Sequence, residues 1–126
     1  MKKFLFFVFA IALVNIASAQ SKKVVDVAKF SSETVDLGKV KVGNPVTATF
    51  TVTNTSNEDL VIENVTPGCG CTKSDYTKEP IKPGKTGKIT ATYNAAAVGN
   101  FNKTVYVKFL GVDEQKNLSI VGVVEQ

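Results

Sequence analysis

Between Val46 and Thr53 the chain alternates without a break: Val46, Ala48, Phe50 and Val52 take one set of positions, Thr47, Thr49, Thr51 and Thr53 the other. Period two puts the first set on one face of a strand and the second on the opposite face, a segregation that a 3.6-residue period cannot produce. The pattern recurs. Ile89, Ala91 and Tyr93 alternate with Lys88, Thr90 and Thr92; Val105, Val107 and Phe109 alternate with Tyr106 and Lys108, with Leu110 blurring the end. Leu118 and Ile120 lead to Val124 through Gly122, where the missing side chain predicts a bulge or a close approach. Leu60 and Ile62 mark a shorter strand, and Val24–Phe30 and Val35–Val40 complete a set of seven rich in Val, Thr and aromatics.

Turn chemistry separates these runs. Val42-Gly43-Asn44-Pro45, Asn54-Thr55-Ser56-Asn57, Lys82-Pro83-Gly84-Lys85 and Val98-Gly99-Asn100 supply the Gly, Pro and Asn that reverse a chain. Pro83 followed by Gly84 suits a type II turn, the glycine taking the positive φ. Seven short strands in one domain-length stretch predict an all-β, immunoglobulin-like antiparallel β-sandwich, with the alternating Val, Ile and Phe positions, Phe50 among them, packed between two sheets. A single antiparallel barrel fits the same alternation; strand count and length favour the sandwich. No repeat, low-complexity tract or linker marks a second domain.

The N-terminus obeys a different rule. Lys2 and Lys3 precede an unbroken apolar run, Phe4 to Val14, and Ala17-Ser18-Ala19 follows. This is the basic, apolar and small-x-small order of a secretory signal peptide, and the run is short for a membrane span. We expect residues 1–19 to be removed between Ala19 and Gln20, leaving residues 20–126 as one exported domain, periplasmic or secreted, without a stable membrane anchor. No Cys follows the apolar run, so a lipoprotein anchor is not supported.

All fifteen cations are lysines, and thirteen of them remain after Ala19 against eleven acids, so the net charge expected after cleavage is about +2. They are scattered along the chain, which suits a solvated face and protected sheet edges. With no Arg and no basic block, nucleic-acid binding is not expected. His and Trp are also absent. That removes imidazole bases, imidazole metal ligands and sugar-stacking indoles from the available chemistry. Glu58-Asp59 and Asp113-Glu114 fall in predicted loops and read as solvated. The four Asn-x-Ser/Thr matches, at Asn54, Asn64, Asn102 and Asn117, read as chance in a Thr-rich chain. No catalytic constellation emerges, and no enzyme activity is expected.

One segment carries chemistry. Thr66-Pro67-Gly68-Cys69-Gly70-Cys71-Thr72 holds both cysteines of the chain. Its two flanking or intervening glycines make the backbone permissive enough for the sulfurs to converge. Four readings stand side by side. A Cys69–Cys71 disulfide suits an exported chain, although residues two apart in an extended strand lie near the upper Cα limit for a bridge. The others are a pair of free thiols, a soft-metal dithiolate of the Cu(I) kind, and a disulfide to another molecule. Cys69 and Cys71 are thus the candidate metal ligands and the candidate disulfide. Zinc would want two further N or S ligands that the chain lacks, so no cofactor is expected.

From Ala28 to Val124 the chain resembles the bacterial domain of unknown function 1573 family. The resemblance rests on Val35-Asp36-Leu37-Gly38-Lys39-Val40 with Gly43, on Phe50 to Ser56, and on Cys69-Gly70-Cys71-Thr72. It continues through Pro80-Ile81-Lys82-Pro83-Gly84 with Gly87 and Ile89, and through Gly99 to Lys103 with Val107. Leu37 stands where the family pattern has Phe. The resemblance implies export from a Gram-negative bacterium and an immunoglobulin-like sandwich related to major-sperm-protein-like domains, with no established enzymatic activity. Together these readings predict a non-enzymatic envelope module that acts by contact with another envelope protein or structurally. The alternative is a thiol-redox or copper-like metal-binding module built on Cys69 and Cys71.

Overall fold

The computed structural model describes residues 22–126; the expected signal segment and its Ala19–Gln20 cleavage site lie outside them. One helical turn, α1 (Val24–Val27), precedes eight strands: β1 (Ala28–Phe30), β2 (Thr34–Lys41), β3 (Val46–Asn54), β4 (Ile62–Pro67), β5 (Thr72–Tyr76), β6 (Thr86–Tyr93), β7 (Gly99–Phe109) and β8 (Gln115–Glu125). They form two four-stranded sheets, ordered β1-β3-β6-β5 and β2-β8-β7-β4. The immunoglobulin-like sandwich expected from the alternation is therefore what the chain forms.

Its core follows the predicted parity. Ala48, Phe50 and Val52 from β3 and Ile89, Ala91 and Tyr93 from β6 are buried. Val105, Val107 and Phe109 from β7, with Leu118, Ile120 and Val124 from β8, close on them from the other sheet. Phe50 is fully buried. Removing a side chain of that size from water contributes roughly 1.5–3 kcal/mol. Gly122 is a close approach as expected: a Cβ there would meet Phe101 Cζ at 2.6 Å and the Gly38 carbonyl oxygen at 2.8 Å. Phe101 and Gly122 are register partners, so the ring covers the glycine.

Beyond β5, an eighth strand that the alternation did not announce, four details differ from the sequence reading. Val24–Val27 is a helical turn rather than the start of a strand, because Val24 and Val27 are the buried pair and three-residue spacing puts both on one face. Asp26 closes that turn, its carboxylate accepting the Lys23 N–H at 3.1 Å. Leu60 makes only an isolated bridge with Ile81. Gly99 and Asn100, read as a turn, begin β7 and pair with Val124 and Val123.

The fourth is β2, which runs parallel to β8. The chain leaves the first sheet after the Ser31 N–H bonds to the Thr51 carbonyl and joins the second where the Ser119 N–H bonds to the Glu33 carbonyl. A segment that crosses between sheets without reversing arrives parallel to its new neighbour. β2 then bulges between Asp36 and Lys39, where the Asp36 carboxylate accepts the Gly38 N–H.

The strand ends sort into two poles. One holds the ends of β2, β4, β6 and β8 and the starts of β3, β5 and β7; the other holds the reverse set. The cysteine loop sits at the first pole, Asn54 and the Lys82–Lys85 turn at the second.

Candidate functional site

Cys69, Gly70 and Cys71 form the bend that carries the chain from β4 in one sheet to β5 in the other. Its backbone is anchored on both sides: the Gly68 N–H donates to the Thr104 carbonyl at 2.8 Å, and the Asn94 N–H donates to the Cys71 carbonyl at 3.0 Å. Gly68 is tightly placed, since a Cβ there would lie 3.1 Å from the Thr104 oxygen and 3.4 Å from the Tyr106 ring. The Thr72 N–H closes the bend on the Cys69 carbonyl at 3.3 Å.

The two cysteines are a close pair, with Cα atoms 5.3 Å apart and sulfurs in direct contact. The separation sits well inside the span a disulfide bridges. The chain is bent here rather than extended, which is why the upper-limit argument from strand geometry does not apply. Both residues are half-buried. The Cys71 N–H points at Cys69 Sγ, 3.1 Å away. Cys71 also lines a cavity of about 200 Å³ with Pro45, Gly70, Lys73, Thr92 and Asn94. Among the described residues no group of three or more His, Cys, Asp or Glu side chains is placed to hold a metal ion, so the two sulfurs are the donors this site has.

Sequence reasoning missed β5 and with it Lys73 and the edge chemistry beyond the cysteines. Thr72-Lys73-Ser74-Asp75-Tyr76 has a single fully buried residue, Thr72, so it carries no apolar alternation to read. The strand covers its neighbour with side chains instead. Ser74 Oγ donates to the Val65 carbonyl and the Tyr76 hydroxyl to the Glu63 carbonyl, both on β4. Asp75 Oδ1 accepts the Tyr76 N–H at 2.8 Å, and Lys78 Nζ approaches to 3.4 Å. That hydrogen bond first, and the ammonium second, hold the Asp75 carboxyl below the ordinary aspartate range.

The remaining candidates behave as solvated groups. Glu58 and Asp59 pair with Lys22 and Lys82 at the surface, and Asp113 and Glu114 are exposed. Asn64, Asn102 and Asn117 are exposed, whereas Asn54 is buried and unavailable to modification in the folded state. Three of the exposed large apolar residues, Val42, Val98 and Val123, lie at the cysteine pole. Backbone pairing draws their segments together: the Val42 N–H bonds to the Glu125 carbonyl, and Gly99 pairs with Val124.

No curated protein matches the sequence. Solved structures match in fold at low identity. A protein of unknown function from Porphyromonas gingivalis W83 is 13% identical with a TM-score of 0.67, over 84% of this chain and 51% of that one, so the chain spans about half the length of that relative. The PapD-like domain 7 of human CEP192 is 9% identical with a TM-score of 0.63, over 92% of this chain and 97% of that domain. WR4, a major-sperm-protein family member of Caenorhabditis elegans, is 9% identical with a TM-score of 0.50, over 79% and 99%. The family model described as "Protein of unknown function (DUF1573)" matches residues 28–124, and the chain belongs to that family.

Proposed function

We propose that this protein is an exported, non-enzymatic immunoglobulin-like module of the cell envelope that works by protein contact through its cysteine pole. The observation that carries the reading is the set of exposed valines 42, 98 and 123 at one pole of a sandwich whose interior is already filled. Among the described residues three of the five exposed large apolar side chains lie beside the half-buried cysteine bend, with Val25 and Leu110 at the opposite pole. The group of three favours a partner surface over solvent. The fold neighbours, a PapD-like domain among them, are compatible with a contact module. Export rests on the basic, apolar and small-residue order of residues 1–19, and a mature N-terminus at Gln20 is its direct readout.

A photo-crosslinking side chain placed at position 98 and, as a control, at Thr49 on the exposed face of β3 tests the contact. We expect a discrete crosslinked product in the envelope fraction from position 98 that disappears when Val42 is replaced by Lys. Equal labelling from both positions, or none from either, would remove the cysteine pole as a docking face. The soft-metal alternative at the same bend would rest on the Cys69 and Cys71 thiolates, a two-sulfur donor set of the kind Cu(I) takes.

A further inference from the structure

The geometry points to Cys69 and Cys71 as a thiol–disulfide exchange site with a fixed polarity, in which an incoming thiolate attacks Cys71 and Cys69 leaves. This inference stands on the bend itself and does not depend on the contact role proposed above. Three features converge on it. First, the sulfurs are already in contact and the Cα separation is 5.3 Å, so closing and opening the bond needs no rearrangement of the strands. The Gly68–Thr104 and Asn94–Cys71 backbone bonds anchor the bend on both sides through atoms other than the sulfurs.

Second, the two sulfurs have different surroundings. The Cys71 N–H is aimed at Cys69 Sγ, at 3.1 Å, and a hydrogen-bond donor favours the sulfur that carries negative charge. The Thr72 hydroxyl also reaches Cys71 Sγ, but at 3.8 Å against 3.1 Å for the N–H on Cys69. Cys69 is therefore the better leaving thiolate, and exchange is faster when the leaving thiol is the more acidic one. Third, access lies on the other side. Cys71, not Cys69, lines the cavity of about 200 Å³, and the same wall carries Lys73, whose ammonium attracts an approaching thiolate.

The step balances with a thiol as reductant. A thiolate RS⁻ attacks Cys71, the Cys69–Cys71 bond breaks, a mixed disulfide forms on Cys71, and Cys69 departs as thiolate. A second RS⁻ attacks the external sulfur of that mixed disulfide, releasing RSSR and the Cys71 thiolate, and both cysteines take protons from water. The protein gains two electrons, and two thiols are oxidised to one disulfide. Run backwards, the dithiol reduces a disulfide.

The test uses the full exported chain, first oxidised with diamide, then mixed with excess reduced glutathione and acid-quenched. Free thiols are blocked with N-ethylmaleimide, and fragmentation mass spectrometry assigns each sulfur. We expect the early adduct to carry glutathione on Cys71 and the maleimide on Cys69, in several-fold excess over the reverse arrangement. Lys73→Gln should slow reaction with the multiply anionic glutathione thiolate several-fold and leave reaction with cysteamine, whose ammonium offsets its thiolate, unchanged, at unaltered circular dichroism. An excess of adduct on Cys69, a diamide-treated protein in which both thiols still take maleimide, or a bond that no excess of thiol opens would overturn the proposal. Equal slowing of both thiols by Lys73→Gln would overturn the electrostatic role of Lys73.

Discussion

The two poles of the sandwich reverse the chain by opposite means. At one, Asn54 is 1% exposed and makes every bond its amide can offer. Its Nδ2 donates to the Glu58 and Ile81 carbonyls at 2.6 and 2.8 Å, and its Oδ1 accepts the Ser56 N–H and hydroxyl at 2.9 and 2.7 Å. Its backbone also bonds to Lys85 and Gly84, so a single residue ties the β3–β4 loop to the Lys82–Lys85 turn. At the other pole the Cys69–Cys71 bend is half-buried and shaped by backbone bonds to Thr104 on β7 and to Asn94 just after β6, with exposed valines at the same end. A buried network of this kind is costly to leave incomplete, whereas a solvated bend tolerates a change of chemistry. The Asn54 pole is held by a closed side-chain network, and the cysteine bend mainly by backbone bonds.

Asn54→Ala should break this contrast most severely. It leaves the Ser56 N–H without its partner and takes one of two bonds from each of the Glu58 and Ile81 carbonyls, which keep the Ser56 hydroxyl and the Leu60 N–H. Four side-chain hydrogen bonds are lost, and at about 0.5–1.5 kcal/mol each the expected destabilisation is about 3 kcal/mol. Chemical denaturation at neutral pH reads it directly. A change under about 1 kcal/mol would mean that water replaces the amide and that the two poles are alike.

Gly84→Val strikes the same pole through the backbone. Lys82-Pro83-Gly84-Lys85 is the type II turn expected from its sequence, with Gly84 at φ +75° and the Lys85 N–H on the Lys82 carbonyl at 2.9 Å. A Cβ at Gly84 would meet nothing within 4 Å, so the entire cost is conformational. We expect about 2 kcal/mol of destabilisation, the upper end for an L-residue in the left-handed region, since valine is β-branched. Gly84→Asn should recover most of it, because Asn tolerates that region. Equal loss in both variants would point to a steric cause.

How much of each pole was legible follows from what kind of residue builds it. Pro83-Gly84 and the alternation through Phe50 are local signals, and both appear in the structure where the sequence places them. The Asn54 segment read as a turn, but its burial did not show. A buried amide is identified by partners at 58 and 81, and nothing near Asn54 in the chain announces Ile81. At the other pole the cysteine pair was visible as composition, while its setting was not. β5 has no apolar period, and the cavity takes Pro45 from one other segment and Thr92 and Asn94 from a second. Parallel pairing of β2 escaped for a related reason: alternation gives a strand's faces and says nothing about its direction.

Replacing both cysteines by serine should cost far less than Asn54→Ala. Closing so small a ring removes little chain entropy from the unfolded state, on the order of 1.5 kcal/mol by the loop-closure relation. The comparison is with the oxidised protein, and circular dichroism should show the strands unchanged. A loss matching that of Asn54→Ala would mean that the bend is architectural too, and the division of labour between the poles would fall.

The smallest effect is expected on β5, the strand that leaves the cysteine bend and runs toward the Asn54 pole. Thr77 sends its N–H to Lys88 on β6, so the preceding N–H, of Tyr76, faces the open edge. Asp75 covers it with its own carboxylate and is lowered in pKa mainly by that bond, with Lys78 adding to it. A lowered folded pKa means that the ionised form is the one folding favours. Its contribution is present above the ordinary aspartate range, near pH 4, and is lost as the pH falls through the folded value. Asp75→Asn should therefore lower stability slightly at neutral pH and converge with the parent protein in acid. Because the group is fully exposed, added salt should shrink the part due to Lys78 and leave the part due to the Tyr76 N–H. A difference that persists unchanged below pH 2 would show that the variant perturbs packing of the edge and not its charge, and the edge of β5 would then be held by the Ser74 and Tyr76 bonds to β4 alone.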